Sequence, residues 1–127
     1  MTAPLPLFVY GTLMSSGPQG ALLSHLARVP ARTRGELWAL PAGYPALVLS
    51  SAPSFVHGEL VAPPGDRVLQ LLDLYEGVAD GLYRRQVIDV VVGPTSEFAW
   101  AYVMDAGRAR TGVRLPHGRW HSARPRA

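Results

Sequence analysis

Four apolar residues in a row, Leu7-Phe8-Val9-Tyr10, end at Gly11 and predict a short strand buried on both faces. Ser16-Gly17-Pro18 then carries the signals of a helix start, with Ser16 as cap and Pro18 near the first turn. Ala21, Leu22, Leu23 and Leu26 form the stripe that such a helix would bury. Thr33 to Leu40 predicts a second strand, Gly43-Tyr44-Pro45 a turn, Ala46 to Leu49 a third strand and Phe55 to Val61 a fourth. The second and fourth share a pattern, Gly35-Glu36-Leu37 and Gly58-Glu59-Leu60, with glycines of the kind that mark close backbone approach or a bend at a barrel corner.

Pro63-Pro64-Gly65-Asp66 breaks the chain, and a helix follows. Val68, Leu71, Leu72 and Tyr75 sit at i, i+3, i+4 and i+7 and predict its buried stripe. A neighbouring row runs through Leu69 and Leu72 to Glu76. Asp66 is placed to cap the start and Gly77 to end the helix. Val87 to Val92 and Phe98 to Met104 predict two more strands, joined by Gly93-Pro94-Thr95-Ser96-Glu97. On the last, Phe98, Trp100, Tyr102 and Met104 alternate with Ala99, Ala101 and Val103, and one large and one small face suit a curled sheet. Strands and helices do not alternate regularly, which argues against a doubly wound sheet. The predicted fold is α+β: a small mixed β-barrel of about six strands with two flanking helices.

Composition narrows the chemistry. The 127 residues suffice for one domain with a closed core. There is no cysteine, which removes disulfides, thiol nucleophiles, thiolate zinc sites and iron–sulfur clusters together. No apolar run approaches the ~18 residues needed to cross a bilayer. Met1 to Pro6 lacks the basic and apolar stretches of a secretion signal, so the expected address is the cytoplasm. There is no lysine, and the charge is split along the chain. Residues 106–127 carry six arginines (Arg108, Arg110, Arg114, Arg119, Arg124, Arg126) and no acid, while the rest carries six arginines against nine acids. Two regions are therefore expected, a domain over 1–105 and an arginine-rich extension over 106–127. The overall basicity belongs to the extension, and reading the whole chain as a nucleic-acid binder would average away that split.

Three places carry candidate chemistry. At Tyr10-Gly11-Thr12-Leu13, a glycine leaving a buried strand lets the backbone approach a ligand, and successive N–H groups can form a nest for a carboxylate or oxyanion; an ordinary strand-end turn is the other reading. Glu76 lies at the edge of the buried helix face in the last turn, where the helix dipole disfavours an ionised carboxyl by roughly 0.3–1 kcal/mol. Partial burial would add to this and bring the group toward the range useful for proton transfer; a solvated helix-end glutamate is the alternative. Tyr83-Arg84-Arg85 follows a returning loop and could orient Glu76 or hold a substrate carboxylate, or it is a plain strand start. His117 and His121 have helical metal spacing, but Pro116 and Gly118 oppose a helix there, so neither metal nor cofactor is expected. Phosphate loops, dinucleotide fingerprints and a serine triad are absent. The tail arginines with Trp120 leave open an acidic partner or nucleic acid, against a solvated extension.

Val9-Tyr10-Gly11-Thr12-Leu13, Gly43-Tyr44-Pro45-Ala46-Leu47, Gly58-Glu59-Leu60, Leu72-Asp73-Leu74-Tyr75-Glu76-Gly77 and Tyr83-Arg84-Arg85 occur in a familiar order. Across about residues 7–104 the chain resembles the gamma-glutamylcyclotransferase-like superfamily, most closely its gamma-glutamylamine cyclotransferase and plant avirulence-induced-gene-like branch. The resemblance implies a small β-barrel with flanking helices and an enzyme that cyclises a γ-glutamyl amide to 5-oxoproline, releasing an amine without a cofactor. It assigns the catalytic glutamate to Glu76, the substrate loop to Tyr10, Gly11, Thr12 and Leu13, and pocket walls to Tyr44 and Tyr83. The implied partner is a small γ-glutamyl substrate. The competing expectations are removal of a protecting glutamyl group in a biosynthetic pathway, a non-catalytic metabolite-binding module, and an adaptor acting through the arginine tail.

Overall fold

The computed structural model describes residues 4–11, 14 and 23–120. Its strands are β1 (Leu7–Val9), β2 (Arg28–Ala39), β3 (Pro45–Leu49), β4 (Phe55–Val61), β5 (Arg84–Val92), β6 (Thr95–Val103) and β7 (Val113–Arg114). The helices are α1 (Asp66–Tyr75) and the single-turn α2 (Ala106–Ala109). The helix expected to start at Ser16 falls, up to Leu22, outside the described residues; of its stripe, Leu23 is buried and Leu26 half-buried.

The sheet closes on itself in the order β2, β4, β1, β6, β5 and back to β2 through the Arg32↔Val91 pair. All these pairings are antiparallel except β1 with β6, where Leu7 lies opposite Trp100. The barrel therefore is mixed, as predicted. β2 belongs to two layers. Its first half, Arg28 to Arg34, pairs with β4, and its second half, Gly35 to Ala39, pairs with β3. β7 joins that outer half opposite Trp38 and Ala39. The second strand thus begins at Arg28, five residues earlier than the sequence predicts. Arg28, Arg32 and Arg34 dilute its apolar alternation, and Pro30, exposed, weakens the strand signal further.

Burial follows the period of two. Phe8, Val56, Val90, Ala99, Ala101 and Val103 belong to one apolar cluster, with the small face of β6 turned into the barrel. Leu7, Val9, Val61, Tyr102 and Met104 belong to a second cluster, together with Leu69 and Leu72 of α1. Both faces of β1 are thereby covered. The helix stripe is corrected: Leu69 and Leu72 are buried, whereas Leu71 is 61% and Tyr75 44% exposed. Burying Leu69 and Leu72 contributes roughly 1.5–3 kcal/mol each. Asp66 is the first helical residue and not the cap, which is Gly65. Beside the positive helix end the Asp66 carboxylate is still favourably placed.

Packing does not stop at residue 105. Ala109 is fully buried and Trp120 nearly so. Leu115 N–H donates to the Leu37 carbonyl at 2.8 Å, extending the β2 edge. Among the described residues no helix is long and apolar enough to cross a membrane.

Candidate active site

The end of α1 and the end of β1 converge on one cavity of ≈ 210 Å³. Glu76 reaches it because the helix terminates there. Its N–H still donates to the Leu72 carbonyl at 2.8 Å, and Gly77 then turns left-handed at φ 67°. That conformation suits glycine and reverses the chain. Leu82 N–H closes the reversal onto the Gly77 carbonyl at 3.1 Å, and Tyr83 is returned to the cavity wall.

Gly11 lines the opposite side. A Cβ there would lie 2.4 Å from Pro45 Cγ, so only glycine permits this approach of β1 to the start of β3. Three tyrosines complete the frame and use their hydroxyls to hold it. Tyr10 OH donates to the Tyr102 carbonyl at 2.6 Å and accepts from Leu47 N–H at 3.2 Å. Tyr83 OH donates to the Pro45 carbonyl at 2.6 Å. Tyr102 OH donates to Asp73 Oδ1 at 2.7 Å. Tyr44 and Tyr75, both substantially exposed, stand at the cavity wall with Leu82.

The electrostatics single out one group. Burial raises the Glu76 carboxyl from 4.5 to about 7. Burial, reinforced by the neighbouring Glu76, raises Tyr83; burial, then Tyr83 and Glu76, raises Tyr10. The tyrosines therefore stay neutral where Glu76 changes charge. No arginine, lysine or histidine is among the described lining residues.

The structure brings together Tyr10, Gly11, Tyr44, Glu76 and Tyr83. Thr12 and Leu13 lie outside the described residues. Of the two readings of Tyr83-Arg84-Arg85, the structure brings only Tyr83 to the cavity; Arg84 and Arg85 stand in β5 and are not among its described lining residues. Arg84 pairs with Asp105. Arg85 grips Asp73 with two bonds, Nε to Oδ1 at 2.8 Å and Nη2 to Oδ2 at 3.2 Å, while lying 4.3 Å from the centre of the Trp100 ring. Burial alone would raise Asp73, but the bonds from Arg85 and Tyr102 outweigh it and hold the carboxyl below the usual range. Asp73 is thus an anchor missed at the sequence level. Its place one helical turn before Glu76 was the available signal. Among the described residues no group of three or more metal-ligating side chains occurs, and His121 is outside them.

Residues 7–122 match the family model described as "Gamma-glutamyl cyclotransferase, AIG2-like". No curated protein matches the chain in sequence. Among solved structures, YkqA from Bacillus subtilis is 26% identical with a TM-score of 0.74, covering 93% of this chain. The chain spans only 40% of YkqA. An AIG2-like protein from Mus musculus is 21% identical with a TM-score of 0.73, over 98% of this chain and 92% of that one. A structure titled gamma-glutamyl cyclotransferase is 18% identical with a TM-score of 0.62, over 79% and 66%.

Proposed function

The chain belongs to the AIG2-like gamma-glutamyl cyclotransferase family, and from that premise we propose that it cyclises a γ-glutamyl amide to 5-oxoproline and a free amine, with Glu76 as the proton carrier. Family and fold support a cyclotransferase-type activity. The observation that carries the finer reading is a glutamate raised to about 7 in the wall of a cavity shared with Gly11.

In this reaction the substrate's own α-amine attacks its γ-carbonyl carbon. A C–N bond forms in the five-membered ring, the amide C–N bond breaks, and the leaving nitrogen gains a proton. The nucleophile is intramolecular, so no serine or cysteine is needed. Holding the glutamyl chain in a folded pose supplies several kcal/mol toward the barrier. Glu76, ionised, takes the proton from the attacking amine and returns it to the departing nitrogen. A carboxyl poised near neutrality suits both transfers.

We assign the glutamyl end to Tyr10 and Gly11, where backbone N–H groups can hold an oxyanion or the α-carboxylate. Thr12 and Leu13 belong to this proposed loop on the resemblance alone. Tyr44 and Tyr83 are assigned to the pocket wall. A pure binder of acidic metabolites is disfavoured, because such a module gains nothing from a carboxyl buried beside its ligand.

The test is 5-oxoproline release from a panel of γ-glutamyl amines, γ-glutamyl dipeptides, γ-glutamyl-ε-lysine and glutathione. Turnover of at least one γ-glutamyl amide supports the reading, and silence across the panel by a folded protein contradicts it. Gly11→Val adds bulk where a Cβ already meets Pro45. Its affinity for 5-oxoproline by calorimetry is expected to fall by about tenfold or more; unchanged affinity would move the glutamyl end elsewhere.

A further inference from the structure

A second cavity, of ≈ 450 Å³, shares no described lining residue with the first. One wall is the β2–β4 ladder. Arg32 and His57 stand opposite each other in register, so their side chains leave the same face of the sheet, and Glu59 follows two residues on from His57. The C-terminal chain supplies another wall. His57 N–H donates to the Gly118 carbonyl at 2.8 Å, and a Cβ on Gly118 would sit 1.9 Å from the Phe55 carbonyl oxygen. This tight docking delivers Arg119 and Trp120 to the cavity, and Met14 adds an apolar contribution.

The charge there is unbalanced. All nine acids of the chain lie within the described residues, yet neither Arg32 nor Arg119 has a carboxylate partner among them. Arg32 lies 5.0 Å from the centre of the Phe55 ring. Glu59, the one carboxylate among the described lining residues, is held by Arg28 at 2.8 Å. Burial, and then the positive charges of Arg119 and Arg32, lower the His57 ring below its ordinary value. Trp120 is 8% exposed, and its indole N–H is buried with no hydrogen-bond partner among the described residues. Buried donors are rarely left so.

We propose that this cavity binds a small organic oxyanion, its carboxylate or phosphate gripped by Arg32 and Arg119 and its apolar body resting against Trp120 and Met14. Guanidinium–oxyanion bonds are charge-assisted and directional, which suits a cavity whose two arginines have no carboxylate partner among the described residues. The bound anion also offsets the field on His57, so occupancy raises the titration midpoint of that ring. The site is independent of the proposed cyclisation, because neither arginine touches the first cavity.

Benzoate and inorganic phosphate serve as probes, each added to the full chain at low ionic strength and followed by calorimetry and by NMR of the His57 ring. Saturable benzoate binding in the low-millimolar range is expected, tighter than that of phosphate, with an upward move of the His57 midpoint. Arg32→Gln with Arg119→Gln is expected to weaken binding by about tenfold or more while the titration of the Glu76 carboxyl in the first cavity is unchanged. Arg119 is exposed, so Arg119→Gln alone carries the test if the double variant fails to fold. Absence of saturable binding by both probes, or equal benzoate affinity in wild type and arginine variants, overturns the proposal.

Discussion

Glu76→Gln is expected to slow 5-oxoproline release by about 10²–10⁴-fold with little change in affinity for 5-oxoproline. The amide keeps the shape of the side chain and can no longer carry the proton between the attacking and leaving nitrogens. The same substitution has a second consequence, with a definite sign. Because burial raises this carboxyl from 4.5 to about 7, the fold prefers its protonated form. The wild type therefore loses stability as pH rises from about 4.5 to about 7 and levels off above. The Gln variant lacks this loss. At pH 8 it is expected to be more stable than the wild type by about 2–3 kcal/mol, and the difference should close toward pH 4.5. Denaturant midpoints across that range check it. Near wild-type turnover would remove Glu76 from the chemistry, and parallel stability curves would remove its burial.

Asp73→Asn is expected to cost about 2 kcal/mol of stability and to lower turnover by about tenfold. Asp73 accepts from Tyr102 and from two nitrogens of Arg85, and it lies one turn before Glu76. These bonds fasten the last turn of α1 to β5 and β6, and the position of Glu76 depends on that fastening. An amide replaces one acceptor oxygen with a donor that faces the donors of Arg85 or Tyr102. Urea unfolding gives the stability change, and turnover well below Tm separates the two roles. Lost stability with full turnover would show that the ion pair holds the fold alone.

Much of the barrel is legible because period-two burial is strong where strands are covered on one side by the barrel interior. Ala99, Ala101 and Val103 are all fully buried, as small residues on a concave face should be. The glycine at 58 is legible for a related reason: a Cβ there would lie 2.1 Å from the Val9 carbonyl oxygen, where β4 pairs with the end of β1. The helix stripe misleads at its end. Two overlapping rows share Leu72, and hydrophobicity favours the row ending in Tyr75 over the row ending in Glu76. The structure turns the carboxyl inward and leaves Tyr75 partly exposed at the cavity wall, so chemistry overrides the local pattern at that turn.

The arginines at 84 and 85 mislead for a different reason. Sequence places them just after the loop from Glu76, but strand alternation sends them apart. One reaches Asp105 and the other Asp73. The stretch from 106 to 120 is nearly silent in sequence, because a four-residue helix and a two-residue strand are too short for periodicity. The burial of Ala109 and Trp120 becomes visible only in three dimensions.

The proposed cyclisation turns on the protonation state of a single side chain. Site-specific ¹³C NMR of the Glu76 carboxyl across pH 3 to 9 measures it without any substrate. A midpoint near 7, absent from the Gln variant, is the expected result. A midpoint near 4.5 would mean that the carboxyl is solvated, and a proton carrier poised for cyclisation would not exist in this cavity.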